Sequence, residues 1–279
     1  MENRILTDGL NGRVIIVTGE ITETASVRQI SKKLEGALPD DGNIYYHEIT
    51  PNCLALISSV DVFIGNRVIG TGLDEKASES LIEKLKNFYR RNNKSKFFIQ
   101  VSPVENNAGI AEMLLNNGAE LRSSWVKLVK IPESKKADQN EIVIGELQDK
   151  DRDIIATLLL KSFSFPEELR TFCNNAFGRP GWKNYVAWIN DKITGTGSLY
   201  IRNGIAEIGI AATAEEIRGK GVQSALIDYR ENEAFIQGCK YMFVETAEPT
   251  PTYSAPSYRN MIRLGFTELY RRPNFLFTL

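Results

Sequence analysis

One stretch, residues 203–226, constrains the chain more than any other; it reads NGIAEIGIAATAEEIRGKGVQSAL. An apolar run of small side chains at 205–212 leads into a turn carrying Arg218, Gly219, Lys220 and Gly221. After it, Val222, Ala225, Leu226 and Tyr229 recur at helical spacing. The order is strand, glycine-rich turn, helix. Glycine reaches positive φ without steric cost and lets a ligand approach the main chain, and the first turn of a helix leaves amide N–H groups without intrahelical partners. A phosphate is well received there, by those N–H groups and by the positive end of the helix dipole. Arg218 and Lys220 add a diffuse attraction for a polyanion.

Three phosphate-binding readings compete for this turn. A Walker loop needs a glycine five residues before the Gly-Lys pair and a hydroxyl directly after it, and Ala214 and Gly221 stand at those positions. A dinucleotide fingerprint could use Gly219 and Gly221, with Glu245 on the next strand as the ribose acid. Its third glycine is replaced by Ser224, and residues 213–217 make a longer turn than that motif uses. The third reading is a resemblance. Arg218, Gly219, Lys220, Gly221, Val222, Gln223 and Ser224 resemble the pyrophosphate loop and helix start of the GNAT superfamily of N-acetyltransferases, whose pattern is Gln or Arg, two residues, Gly, one residue, then Gly or Ala. Arg218 and Gly221 match, and Gln223 stands where the final small residue is usual.

Composition leaves room for a local anion site but no global one. At 279 residues the chain holds one large domain or two ordinary ones, and 34 basic against 35 acidic side chains give a net charge of −1. That balance favours neither nucleic acid nor an anionic membrane surface. Cys53, Cys173 and Cys239 are odd in number and far apart, and with a single histidine, His47, they offer no metal-binding spacing. The one short apolar run near the start, 14–17, is too short for a signal-peptide core or a membrane span. A reduced, cytoplasmic setting is the expectation.

Along the chain, periodicity predicts a strand at 13–18, a helix at 26–38, strands near 44–47, 53–57 and 60–69, and a charged helix over 74–91. A strand at 96–101, a helix at 108–116 and a strand at 124–130 follow. Residues 132–140 lack a large apolar side chain and read as a solvated linker. Beyond it come a strand at 141–147, helices at 149–163 and 166–176, strands at 185–189, 194–201 and 205–212, and a helix ending before Gly238. A strand at 241–246, a helix at 255–264 and two short closing strands complete the chain. The order of elements repeats, and a shift of 144 sets 96–99 on 240–243. We therefore expect an α/β (α+β) chain of two tandem GNAT-like domains, with 1–131 a degenerate copy, 132–140 the linker and 141–279 the acetyltransferase domain. At that shift Asp74 and Ala77 stand where Arg218 and Gly221 do. An acid and a methyl there would repel and crowd a pyrophosphate.

A second stretch carries the same resemblance: 257–266, SYRNMIRLGF, is similar to the GNAT helix that ends in Gly-Phe and packs against the cofactor's arm. The resemblance implies a mixed, mostly antiparallel twisted sheet flanked by helices and splayed between strands 205–212 and 241–246. Acetyl-CoA would be cosubstrate, its pantetheine arm pairing with Ala211, Ala212 and Thr213, its diphosphate on 218–224, and Ser257 and Asn260 flanking it.

Acyl transfer to an amine has two protonic needs. Neutralising a lysine-like amine of pKa about 10.4 at pH 7 costs about 4.6 kcal/mol, and a base must accept that proton. Glu207, beside the expected groove, is the first candidate and Glu245 the reserve. The family often protonates the leaving thiolate from a tyrosine four residues before Gly-Phe. Here that residue is Met261, and Tyr258, one turn earlier, is the substitute. Phe163, Phe165, Phe172, Phe177, Arg179 and Trp182 lie where the family commonly lines its acceptor pocket. The expected activity is N-acyl transfer, with acetyl the expected group, to an amine of a small molecule or peptide by direct attack in a ternary complex. Two rivals stand beside it: a non-catalytic acyl-CoA-binding module, which Met261 favours, and a Rossmann-type nucleotide enzyme.

Overall fold

The computed structural model describes residues 9–135 and 141–279, with helix side chains from residue 12 onward. Of the expected linker, 136–140 lie outside the described residues. The fold is mixed α/β, its sheets mostly antiparallel and flanked by helices. The chain divides into two compact units.

The first unit holds the described residues up to Leu128 together with Glu245–Ile262 and Thr267–Leu279. Its elements are α1 (Gly9–Ile30), β1 (Lys32–Lys33), β2 (Tyr45–Thr50), β3 (Cys53–Ile57), β4 (Arg67–Ile69), α2 (Glu79–Arg91), β5 (Lys96–Gln100), α3 (Ile110–Asn116) and most of β6 (Glu120–Lys130). Strand order here is β1-β2-β3-β4-β5-β12-β6, where β12 (Thr267–Thr278) is the last strand of the chain and runs antiparallel to β5. The compact units thus follow pairing rather than chain order: the closing strand groups with the first half. One long strand stands where two short ones were expected. Leu81, Ile82, Leu85 and Tyr89 of α2 pack on Phe97, Ile99, Phe275 and Phe277 to make the apolar core.

The second unit holds the described residues of Val129–Val244 and Arg263–Phe266. It contains β7 (Val143–Glu146), α4 (Arg152–Phe163), α5 (Arg170–Asn175), β8 (Trp182–Ile189), β9 (Lys192–Arg202), β10 (Ile205–Thr213), α6 (Val222–Ile236) and the start of β11 (Tyr241–Ala247), in the sheet order β11-β10-β9-β8-β7. The first residues of the expected linker are tied down: Glu231, buried on α6, accepts from the Glu133 amide at 3.2 Å and pairs with Lys130 at 2.7 Å and Lys135 at 3.5 Å. No helix among the described residues is long and apolar enough to cross a membrane.

Several local expectations are corrected. Residues 13–18 are helix, because α1 buries a face on the sheet that outweighs the strand preference of β-branched side chains. Its threonines bond back one turn: Thr18 Oγ1 donates to the Val14 carbonyl at 2.7 Å and Thr22 Oγ1 to that of Thr18 at 2.8 Å. The helix expected at 26–38 ends at Ile30, and the strand at 60–69 shortens to Arg67–Ile69 behind a turn of 3-10 helix. The helix expected from residue 74 starts at Glu79, since Ser78 Oγ accepts from the Leu81 amide at 3.2 Å as N-cap. The helix at 166–176 narrows to Arg170–Asn175 after a 3-10 turn at Glu167–Leu169.

The repeat is real but the shift is 145. At that spacing the buried stripe of α2, Leu81, Ile82, Leu85 and Tyr89, falls on Leu226, Ile227, Arg230 and Ala234, the buried stripe of α6. One residue less would rotate the stripe by about 100° and expose it. Strand pairing agrees, with Arg67 opposite Phe98 and Glu207 opposite Phe243. From the strand position to the matching helical residue the second half is five residues longer, and the excess lies past Gly209, where β10 runs on through its bulge to Thr213 while β4 stops at Ile69.

Polar groups fill the space between α1 and the first unit's sheet. The fully buried Arg272 guanidinium donates to both oxygens of Glu23, at 2.8 Å each, reaches Glu20 at 3.2 Å, and pairs with Glu245; Lys127 also pairs with Glu23. Burial alone would raise the Glu23 pKa, but Arg272 and then Lys127 reverse this and hold the carboxyl far below the usual range. Removing the cation leaves three buried acids facing one another. Arg272→Met is expected to destabilise the fold by about 3–5 kcal/mol, measured by urea unfolding. The Glu23 contribution is complete above its unfolded value of 4.5 and is lost as pH falls below it. Glu245, raised by burial with Arg272 opposing, has the opposite sign. Wild type is therefore expected to lose Tm between about pH 5 and about pH 3, and Glu23→Gln to lose less over the same interval.

Candidate active site

The strands β10 and β11 pair in parallel only from Ile205 opposite Tyr241 to Ile208 opposite Val244. From Gly209 onward β10 continues alone on that side to Thr213. Its other edge stays on β9, with a bulge between Gly209 and Ala212 that takes Ile210 and Ala211 out of register. Ile210 adopts φ +45°, a conformation β-branched residues rarely take, so the main chain is bent where pairing ends. Buried amide and carbonyl groups demand partners, and a strand that has left its neighbour offers them along its length. Ala211, Ala212 and Thr213 lie on this unpaired run.

The run ends in the turn. Gly219 and Gly221 have φ +82° and +86°, and Gly221 caps α6 without a side-chain hydrogen bond. The first helical bond is Ala225 N–H to the Gly221 carbonyl at 2.9 Å, so the amides ahead of it precede the ladder and carry the helix's positive end. Arg218 is exposed and faces the Glu215 carboxylate at 3.6 Å. Ser224 Oγ, one turn into the helix, accepts from Arg263 Nη2 at 2.6 Å. A diphosphate fits this donor set: the glycines take the backbone conformation it needs, and the capping residue, Gly221, brings no side chain to the helix end.

Three residues hold α6 in place that the sequence reading did not single out. A Cβ on Gly195 would lie 2.7 Å from Val222 and one on Gly197 2.7 Å from the Arg230 guanidinium carbon, so only glycine lets the helix approach β9 this closely. Arg230, 1% exposed, donates to the Leu226 carbonyl at 2.8 Å and the Ser198 carbonyl at 3.1 Å, and burial pushes its pKa down to about 10. The pair of glycines at alternate positions of an apolar strand was the available signal.

Glu207 faces away from α6, in a cross-strand row of Trp182, Tyr200, Glu207 and Phe243. It is 8% exposed. Burial pushes the Tyr200 phenol up, with Arg202 opposing and the Glu207 charge adding to the rise. Of the six acceptor-side candidates, Phe172, Phe177 and Trp182 are buried. Phe163 and Phe165 stack at 5.3 Å toward solvent, and Arg179 donates to the Asn175 carbonyl at 2.6 Å.

Ser257, Tyr258 and Asn260 lie on α7 (Pro256–Arg263), within the first unit. Tyr258 donates to Glu268 at 2.9 Å, and burial followed by that bond raises its pKa. Met261 is buried. The reserve base Glu245 is engaged by Arg272.

The first half differs at each of these points. By strand pairing Arg67 stands for Glu207, with its guanidinium on Gln100 Oε1 at 2.8 Å and over the Trp125 ring at 5.0 Å. Thr71 Oγ1 bonds the Gln100 carbonyl at 3.1 Å, and Asn107 Nδ2 bonds the Thr71 and Ser102 carbonyls at 2.9 Å each, filling the gap beyond the paired strands. Asp74 is not the counterpart of Arg218. It accepts from Thr50 Oγ1, the Asn52 amide and Asn52 Nδ2 at 2.5 to 2.7 Å, and these bonds outweigh burial to lower its pKa. Ala77 is buried in the core rather than exposed on the turn.

Comparison with known proteins agrees with this geometry. Residues 152–266 match the acetyltransferase (GNAT) family model. A GCN5-related N-acetyltransferase from Kribbella flavida superposes with TM-score 0.63 at 13% identity, covering 96% of this chain and 95% of that one. A tandem GNAT protein from the clavulanic acid biosynthesis pathway gives 0.55 at 13% identity over 93% and 95% of the two chains. A GCN5-related N-acetyltransferase from Sphaerobacter thermophilus gives 0.55 at 12% over 83% and 82%. None of the curated proteins matches the chain. The family match thus covers 152–266, and the solved structures extend the same fold along nearly the whole chain.

Proposed function

We propose that the second half transfers an acyl group, acetyl in the first instance, from acyl-CoA to the amine of a small molecule or peptide by direct attack, and that the first half is a degenerate copy without cofactor. The observation that carries this reading is the parting of β10 from β11 after Ile208, followed by the uncapped glycine turn at 218–221. Together they supply a slot for an extended arm and an anion seat at its end.

In this reading the amides of Gly219 and of Gly221 to Ser224, with the Lys220 side chain, hold the diphosphate, and Arg218 is released from Glu215 to join them. The exposed ion pair it gives up is worth little. Ala211, Ala212 and Thr213 pair with the arm. Glu207 takes the proton from the attacking amine nitrogen as the new C–N bond forms, directly or through water. An N–H of the bent strand near Ile210 stabilises the developing oxyanion. The C–S bond then breaks, and Tyr258, whose hydroxyl donates to Glu268, is the substitute for the family's usual tyrosine as proton donor to the thiolate. A thiol of pKa near 8.5 also leaves as the anion, so this acid matters less than the base. The buried Met261 at the usual tyrosine position favours a second reading, a non-catalytic acyl-CoA-binding module.

Acetyl-CoA is expected to raise Tm and NADH and ATP to leave it unchanged; stabilisation by either nucleotide alone would overturn both readings. Gly221→Asp is expected to abolish the acetyl-CoA shift, while Gly221→Asn, which keeps the positive φ without the charge, retains part of it. Acetylation across an amine panel separates enzyme from module. In the enzyme Glu207→Gln lowers kcat by about 10²–10⁴-fold with acetyl-CoA binding unchanged, and equal rates would remove Glu207 as the base.

A further inference from the structure

We infer that Trp182 sets the length of the acyl group the slot accepts, restricting it to acetyl. The inference rests on the acyltransferase reading above and concerns the one part of the slot which that reading leaves open, its closed end.

Order along β10 locates that end. If the diphosphate lies at 218–221 and the arm pairs with 211–213, the acyl group reaches the apex of the opening, where Gly209 is the first residue past the last pair, Ile208 with Val244. Gly209 has no side chain and an ordinary φ. A carbon at its Cβ position would meet one group within 4 Å among the described residues, the Cη2 edge of the Trp182 indole, at 3.8 Å. The room over the apex is therefore about one carbon deep on that side: a methyl touches the ring at van der Waals distance and the next carbon overlaps it.

The ring is held where it is. Trp182 is 8% exposed and its ring centroid lies 5.3 Å from that of Tyr200, tilted by 44°. The preceding residue, Gly181, has φ +79°, and a Cβ there would lie 2.6 Å from the Tyr200 ring, so the main chain presses directly on that ring. The Trp182 amide donates to the Arg179 carbonyl at 3.0 Å and the Ile201 amide to that of Gly181 at 2.9 Å, closing the turn on both sides. From β8 the indole reaches across β9 to Gly209, which pairs with Ser198. A wall built this way does not yield to a longer chain without repacking Tyr200.

Binding of free CoA, acetyl-CoA, butyryl-CoA and octanoyl-CoA to the full chain, followed by calorimetry and by Tm, tests this without requiring turnover. Wild type is expected to bind butyryl-CoA and octanoyl-CoA at least about tenfold more weakly than acetyl-CoA. Trp182→Ala, checked for folding by circular dichroism, is expected to cut that ratio by at least about tenfold. Should that variant not fold, Gly209→Ala serves alone: its added carbon contacts the ring at ordinary distance, so the fold holds, and it is expected to weaken acetyl-CoA while leaving free CoA at wild-type affinity. Unchanged acyl preference in a folded Trp182→Ala, or equal acetyl-CoA affinity in Gly209→Ala, would overturn the inference and leave the acyltransferase reading intact. A wild type that binds neither free CoA nor any thioester would overturn that reading, and this inference with it.

Discussion

The separation of two strands is the constraint on which the site depends. A parallel pair that held its register past Ile208 and Val244 would have every inward amide satisfied and no space to enter. Instead the bulge after Gly209 and the positive φ of Ile210 turn β10 away, leaving main-chain groups in need of partners. Strain of this kind persists only where the surroundings over-determine it. Here β9 holds the far edge of β10, and the α6 helix is set hard against β9 by two missing side chains and one buried guanidinium.

The first half shows what the same architecture looks like once the opening is closed. Arg67 and Gln100 occupy the strand positions of Glu207 and Glu245, the side chains of Thr71 and Asn107 span the gap, and β4 stops at Ile69 without the continuation that carries β10 on to Thr213. The polar interior of this half has become structural instead: Arg272, Lys127 and three carboxylates neutralise one another in the dry space under α1.

Buried charge has different consequences in the two halves. Arg272 is surrounded by acids and binds the closing strand to α1, whereas Arg230 donates to the Leu226 and Ser198 carbonyls and serves as a spacer between helix and sheet. Glu207 is buried on a face shared with Trp182, Tyr200 and Phe243, so its carboxylate sits among rings rather than in water.

Local chemistry written in adjacent residues was legible from the sequence: the strand, the positive-φ glycines at 219 and 221, the helix stop at Gly238, and the family to which 203–226 and 257–266 point. Those features depend on near neighbours alone. What β-branched residues at 14–17 do, which strand the last twelve residues join, and where Arg272 finds its acids were decided by contacts more than a hundred residues apart. The shift between the halves lay in between, because composition fits 144 nearly as well as 145 and only the phase of a buried helix face separates them. Sequence spacing carries the period of an element; the face it turns inward is set by what packs against it.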